Sequence, residues 1–268
     1  MPRYAAVVTL AVSWLAVSRA ATAQPIATTD ASRKWEITDN SFLVEEAFNQ
    51  EPGVFQHIFT WTRELDGAWA AAFTQEWPAP NMTHQFSYTV PFGGTGVARG
   101  VGDVMLNYSY QLRTESARGP AVSPRLSVIL PTGRESEGLG SGAAGLQFNL
   151  PVSKQFGDLY VHANAGQTWL PDVQQTTHVA GSGIWRVKPM VNLMLESVLR
   201  FDELVDETGT SRETAFILSP GFRGGWNIGE QQVIVGAAVP ITWVDGDTEP
   251  GLFLYLSYEL PFKKVPSK

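Results

Sequence analysis

Apolar and polar residues alternate at every second position through most of this chain after residue 50. In one segment Val104, Leu106, Tyr108, Tyr110 and Leu112 are apolar or aromatic, and mostly polar residues stand between them. A β-strand directs successive side chains to opposite faces of its sheet. The pattern therefore predicts strands with one apolar and one polar face, and it favours an all-β fold over a helical one.

The first 23 residues have the three regions of a secretory signal peptide. Arg3 is followed by an apolar run from Tyr4 to Val17, and the small residues Ala21 and Ala23 precede Gln24. The apolar run is too short to cross a membrane comfortably as a helix. We expect export and cleavage after Ala23, which leaves a mature chain that begins at Gln24.

No later segment has the length and hydropathy of a transmembrane helix. The longest apolar run, from Val233 to Val244, contains Gly236, Pro240 and Thr242. A chain that enters a membrane without such a helix must satisfy its backbone in a closed barrel, because lipid offers no hydrogen bonds to an open strand edge. Export and alternation together predict a transmembrane, antiparallel, up-and-down β-barrel in the cell outer membrane.

The pattern predicts about twelve strands, and their connections alternate in length. Short turns fall at 157–158, 188–189 and 228–230, and longer polar loops fall at 93–100, 133–142, 171–177, 203–212 and 245–251. Outer-membrane barrels have short periplasmic turns and longer outer loops, which predicts that both chain ends are periplasmic. The predicted strands are 56–65, 69–78, 82–92, 101–114, 122–132, 143–155, 159–170, 178–188, 190–202, 213–226, 231–244 and 252–262.

Aromatic residues, including most of the nine tryptophans, cluster near the predicted strand ends. Amphipathic rings suit the two interfaces of a membrane, although core aromatics of a soluble β-sandwich are an alternative. We expect girdles from Trp61, Trp69, Trp77, Trp169, Trp185, Trp226, Trp243 and Phe262.

The mature chain divides into three parts. Residues 24–50 form an N-terminal segment, residues 51–262 the barrel, and residues 263–268 a C-terminal tail. Within the first part, residues 41–50 are ambiguous between helix and strand, and Glu51-Pro52-Gly53 after them signals a turn. This stretch is expected either to enter the barrel mouth as a plug or to lie in the periplasm.

Charge and cysteine content limit the partners and the chemistry. Removal of residues 1–23 takes away Arg3 and Arg19 and no acid, so the formal charge changes from −7 to −9, which disfavours nucleic acid as a partner. The chain has no cysteine, so it forms no disulfide and no thiolate metal site. His57, His84 and His178 show no metal-ligand spacing, and we expect neither a metal nor another cofactor.

Charged residues of both signs are assigned to the inward face. In a narrow lumen they would pair, because an unpaired buried charge is costly. They could form a structural network that fills the barrel or a constriction that selects solutes by size and charge. The predicted set is Glu64, Glu76, Asp103, Glu196, Glu259, Arg113, Arg125, Arg186, Arg200 and Arg223, together with His162 as a hydrogen-bonding group.

His162 also raises the question of catalysis, since barrel hydrolases use an inward histidine. Such chemistry needs a nucleophile beside the imidazole and a third group that orients it. The sequence offers no nucleophile at a recognisable spacing from His162. The expectation is therefore that the protein is not an enzyme.

Three stretches carry a resemblance to a known family: Gly100 to Leu112 (GVGDVMLNYSYQL), Pro124 to Gly133 (PRLSVILPTG) and Gly138 to Lys154 (GLGSGAAGLQFNLPVSK). They resemble the outer-membrane barrel family named after the phenol meta-cleavage degradation pathway, from about residue 42 onward. The resemblance implies a porin-like transporter for small, often aromatic compounds. The pattern Tyr258-x-Leu260-x-Phe262 suits the signal read by the barrel-assembly machinery, although residues 263–268 follow it.

The favoured hypothesis is a monomeric outer-membrane barrel for passive uptake of small molecules, including hydrophobic or aromatic ones, through a polar lumen. Its expected partners are outer-membrane lipid, lipopolysaccharide, the barrel-assembly machinery and the solute. Three alternatives stay open: a non-conducting structural or surface-binding barrel, a barrel hydrolase, and a soluble periplasmic β-protein.

Overall fold

The computed structural model describes residue 37 and residues 41–65, 67–94, 98–206, 209–229 and 231–261. The predicted signal peptide, the predicted C-terminal tail and Phe262 lie outside these residues. In the described part of the chain, no helix is long and apolar enough to cross a membrane.

Antiparallel strands account for almost all regular structure in the described residues, and one short 3-10 turn lies at Glu135–Glu137. The strands are β1 Val54–Glu64, β2 Trp69–Pro78, β3 His84–Gly94, β4 Arg99–Val101, β5 Val104–Tyr110, β6 Ala121–Val122, β7 Arg125–Leu130, β8 Gly145–Phe156, β9 Leu159–Leu170, β10 Gln174–Lys188, β11 Val191–Asp206, β12 Gly209–Ile228, β13 Gln231–Ala238, β14 Ile241–Val244 and β15 Asp247–Pro261.

The sheet closes on itself. Each long strand pairs with its neighbour in sequence, and β1 pairs with β15 from Val54↔Pro261 to Glu64↔Gly251. The three short strands do not add further strands to the barrel wall. β4 pairs with β3, β6 lies beside β8 just before β7, and β14 continues β13 along β15. The result is the predicted closed, twelve-stranded antiparallel β-barrel, in which each of the twelve long strands has a partner strand on both sides.

The strands have the polarity of a membrane barrel, with polar residues inside and apolar residues outside. On β9, Val161 and Trp169 are exposed, whereas His162 and Thr168 are almost fully buried. A soluble barrel would bury its apolar face in this position. Leu159 and Trp169 are ten residues apart on the outer face of β9, which is about 33 Å along a strand. At a typical strand tilt this becomes about 25 Å, the height of the apolar band of outer-membrane barrels.

Three of the connections predicted as longer loops are short. β10 begins at Gln174, β11 and β12 continue to Asp206 and from Gly209, and β15 begins at Asp247. The backbones of these polar segments pair with neighbouring strands and so stay in the sheet; Glu203, for example, is directly opposite Arg212, and their side chains lie 2.7 Å apart. The prediction of loops there was wrong because polarity alone does not end a strand.

The connection 131–144 does form a folded loop. Asp103 accepts hydrogen bonds from the backbone N–H of Gly133 (2.9 Å) and from the N–H and hydroxyl of Ser141 (2.7 and 2.6 Å). Leu139 is buried in the same loop and packs near Gly100 and Gly102. A Cβ at Gly102 would lie 3.0 Å from Pro91 Cγ and 3.1 Å from Leu139 O, so the glycine permits this close approach.

Candidate functional site: a polar lumen occupied by residues 41–50

Residues 41–50, here called the plug segment, run through the interior of the barrel without helix or strand structure. All ten residues except Leu43 are buried, among them the charged residues Glu45 and Glu46. A backbone without regular structure must find other partners for its N–H groups when it is buried. The side chains of the barrel wall supply these partners.

Glu196 on β11 binds the start of the plug segment. Its carboxylate accepts the backbone N–H groups of Phe42 (3.1 and 3.2 Å), Leu43 (2.9 Å) and Val44 (3.1 Å). Three successive N–H groups that converge on one carboxylate form an anion-binding concavity of the kind seen at nests and helix N-termini. The geometry stabilises both the buried charge and the irregular backbone.

Glu45 is held by both its backbone and its side chain. Asn164 on β9 accepts the N–H of Glu45 at 2.7 Å and donates to its carbonyl at 2.7 Å, so the amide imitates a strand partner. The Glu45 carboxylate forms an ion pair with Arg125 Nε at 2.7 Å and accepts a hydrogen bond from Asn149 Nδ2 at 2.6 Å. Arg125 and Glu45 are both buried, so each charge depends on the other.

A serine and a histidine of the wall contact each other and the next glutamate of the plug segment. Ser153 Oγ is 2.8 Å from His162 Nδ1, and His162 Nε2 is 3.5 Å from a Glu46 oxygen. The same Ser153 hydroxyl accepts the backbone N–H of Ala47 at 2.8 Å, and all three side chains are buried. The arrangement resembles a hydrolase triad in composition, but here the hydroxyl anchors the plug segment.

Amide side chains bind the last residues of the plug segment. Gln111 accepts the N–H of Asn49 (3.2 Å) and donates to the carbonyl of Ala47 (2.7 Å), and Gln85 accepts the N–H of Gln50 (2.6 Å). Both glutamines lie at the barrel end where β1 begins and β15 ends. The plug segment therefore leaves the lumen at the end from which β1 starts.

The ring of Phe42 occupies an apolar seat in the otherwise polar interior. Its centroid lies 5.3 Å from that of Phe253 and 5.0 Å from that of Tyr255. The edge of the ring packs against the backbone of Gly236, where a Cβ would lie 2.2 Å from Phe42 Cζ. The absence of a side chain at Gly236 lets the ring reach the wall.

The predicted lumen residues fall into two groups. Arg125, His162 and Glu196 contact the plug segment directly, and Glu259 accepts a hydrogen bond from Gln50 at 3.3 Å. The others lie elsewhere: Glu76 is buried beside Gln85, Arg223 beside Asn192, Arg200 pairs with Asp202, Arg186 pairs with Asp158, Glu64 ends β1, Asp103 binds the 131–144 loop, and Arg113 pairs through its backbone with Val122.

Sequence reasoning missed the partners of these residues. Arg125, Arg186 and Arg200 form ion pairs with Glu45, Asp158 and Asp202, none of which was in the predicted set. Ser153, which faces His162 across the β8–β9 hairpin, was also missed. The hairpin register Ser153↔His162 could have revealed it, because the predicted turn at 157–158 places these two residues opposite each other.

No protein-family model matches the sequence, and no curated protein matches it. Solved structures do resemble the fold. The COG4313 outer membrane channel from Pseudomonas putida F1 superposes with a TM-score of 0.63 at 13% identity, over 78% of this chain and 95% of that chain. The NanC porin has a TM-score of 0.51 at 10% identity, over 76% and 100% of the two chains.

The KdgM porin in complex with disordered oligogalacturonate gives a TM-score of 0.50 at 10% identity, over 78% and 99% of the two chains. At these identities the likeness concerns the fold alone: this chain has the closed barrel of outer-membrane channels and porins. The resemblance to the phenol meta-cleavage family stays a prediction.

Proposed function

We propose that the protein is a passive outer-membrane channel for small molecules, in which the plug segment closes the lumen. The observation that carries this proposal is the nature of the plug contacts. Side chains of the wall, and not a strand ladder, hold its backbone N–H groups. Water can replace such contacts singly when the segment moves, so opening does not require the barrel itself to break.

The outer surface supports a location in the outer membrane. Apolar side chains cover the outward face. Trp169 on β9 and Trp185 on the antiparallel β10 lie near opposite ends of the barrel, where interfacial rings are favoured. Lipid and lipopolysaccharide would contact this face, and the barrel-assembly machinery would insert the exported chain. The end that carries Val54 and Pro261 would face the periplasm.

The seat of Phe42 supports hydrophobic or aromatic molecules among the solutes. It combines aromatic walls with the backbone of Gly236 beside an otherwise polar passage. A solute with an apolar ring would gain the same contacts that Phe42 makes. The transport needs no energy source, since diffusion down a gradient suffices.

A non-conducting barrel is the second candidate, because the plug segment is buried at every residue except Leu43 and is densely hydrogen-bonded. A tether distinguishes the two. Ser41 Oγ and Ser182 Oγ lie 3.0 Å apart, and the chain has no cysteine, so Ser41→Cys with Ser182→Cys can form one defined disulfide. A channel gives single-channel current that oxidation suppresses and reduction restores.

The matched control places cysteines at Val179 and Leu199, which pair across β10 and β11 away from the plug segment. Its current should not depend on the redox state. Absence of current from the reduced, folded Ser41→Cys/Ser182→Cys protein and from the wild type would favour the non-conducting barrel.

A further inference from the structure

The carboxylate of Glu45 occupies a site that the barrel wall builds. Arg125 Nε lies 2.7 and 2.8 Å from the two carboxylate oxygens, and Asn149 Nδ2 lies 2.6 Å from one of them. Glu45 belongs to the plug segment, whereas Arg125 and Asn149 belong to β7 and β8. The receptor is therefore part of the wall and its occupant is not.

The wall orients Arg125 without help from the plug segment. One terminal guanidinium nitrogen donates to Ser127 Oγ, and the other donates to Gln147 Oε1 at 2.7 Å. Ser127 lies on β7 and Gln147 on β8, and both are buried. With both terminal nitrogens fixed, the Nε–H remains directed at the position of the Glu45 carboxylate.

Asn149 is oriented in the same way. Its Oδ1 lies 3.3 Å from His178 Nε2 on β10, which turns its Nδ2 toward the carboxylate. Two preoriented donors, one of them charged, are the elements of a carboxylate receptor. Departure of Glu45 leaves Arg125 with no anion in the receptor, and a buried guanidinium without a counterion is strongly disfavoured.

We propose that Arg125 and Asn149 form a carboxylate-binding site of the lumen, which Glu45 fills as an internal stand-in and from which a small monocarboxylate solute displaces it. This inference rests on the proposed channel function and adds a solute class to it. Binding of the solute carboxylate replaces the ion pair that holds the middle of the plug segment. Entry of the solute and release of the segment are thereby coupled.

Propionate is the probe, and the uncharged propionamide is its matched control. Propionate should raise the open probability of the wild-type protein in planar bilayers, whereas propionamide should not. Arg125→Gln should lose the response, and Arg125→Lys should need at least about tenfold more propionate, because an ammonium lacks the fixed guanidinium geometry. Arg212→Gln, at an exposed ion pair outside the lumen, should respond as the wild type does.

A second readout does not depend on conductance. Glu45→Gln empties the receptor of its carboxylate, so propionate should raise the temperature at which this folded variant loses its gel-mobility shift. The double variant Glu45→Gln/Arg125→Gln should show no such rise. Equal stabilisation of the single and double variants would overturn the carboxylate site.

The two proposals fail differently. If folded variants with residues 41–50 replaced by glycine and serine carry no current, the channel function fails while the thermal readout still decides the binding site. If those variants conduct but propionate neither opens the wild type nor stabilises Glu45→Gln, the carboxylate site alone is wrong.

Discussion

The carboxylate of Glu196 accepts the backbone N–H of Leu43 at 2.9 Å and binds the neighbouring N–H groups of Phe42 and Val44 as well. One wall side chain thus replaces the hydrogen bonds that a helix or strand would give to this stretch. The relationship explains how a segment with no regular structure can lie buried inside a barrel. It also identifies a contact whose loss should loosen the start of the segment.

Glu196→Gln should loosen the start of the plug segment. An amide offers one acceptor oxygen, and its NH₂ group faces N–H donors, so we expect a loss of about 1–3 kcal/mol in local stability. Amide hydrogen exchange at Phe42, Leu43 and Val44 should accelerate accordingly. Glu203→Gln, at an exposed cross-strand pair, is the control and should leave these amides unchanged. Unchanged exchange in Glu196→Gln would contradict the role of the carboxylate.

Gly236→Ala should expel the Phe42 ring. The added Cβ would lie 2.2 Å from Phe42 Cζ, so the ring must leave its seat, at a cost of about 1–3 kcal/mol. The control is Gly183→Ala on β10, where a Cβ meets nothing within 4 Å. Thermal unfolding should report a lower midpoint for Gly236→Ala only. In a Phe42→Ala background the effect of Gly236→Ala should largely disappear, and its persistence there would show that another contact is responsible.

Leu195→Arg tests whether the outer face contacts lipid. Leu195 is exposed on β11 between the outward-facing Leu193 and Phe201, and an arginine there should destabilise the barrel by about 2–4 kcal/mol in a bilayer. Leu65, in the turn between β1 and β2, is even more exposed, and Leu65→Arg should cost little. Unfolding in lipid vesicles measures both. Equal tolerance of the two substitutions would argue for a water-exposed surface around β11.

Glu51 should make stability depend on pH. Burial raises the pKa of the Glu51 carboxyl above its usual 4.5, so the folded chain holds this proton more tightly than the unfolded chain. The ionised Glu51 carboxylate therefore lowers the free energy of unfolding. This loss is absent below pH 4.5 and develops as the pH rises through the raised folded-state pKa. Glu51→Gln should be more stable than the wild type at neutral pH and equal to it in acid.

Thermal unfolding across that pH range checks this expectation. Glu249→Gln, at an exposed position near the start of β15, is the control and should not reproduce the difference. A Glu51→Gln protein whose advantage over the wild type is the same at acidic and neutral pH would contradict it.

The barrel could be predicted from the sequence because its signal is local. Strands β2 and β9 have the predicted bounds 69–78 and 159–170, since alternation and turn residues are both present there. The extensions of β11 and β12 were not predictable from polarity, because the pair Glu203 and Arg212 exists only once the two strands are in register. Pairing, and not composition, keeps those segments in the sheet.

The interior site was only partly predictable. Arg125, His162 and Glu196 are visible as charged or titratable residues in alternating strands. The partners of Arg125 and His162 are Glu45 and Glu46, and Glu196 binds the backbone N–H groups of residues 42–44. All of these lie on a segment with no periodicity, and the contacts join residues more than 75 positions apart. No local pattern encodes such contacts, because they arise when the wall surrounds a chain that has no regular structure of its own.

The most direct test of the account is single-channel current from the purified protein in planar bilayers, with and without the plug segment. Residues 41–50 are replaced by glycine and serine at constant length, and a heat-dependent gel-mobility shift confirms that the barrel is folded. The account predicts rare openings for the wild type and sustained current for the replaced chain. A folded, replaced chain that carries no more current than the wild type would contradict the claim that residues 41–50 close a conducting lumen.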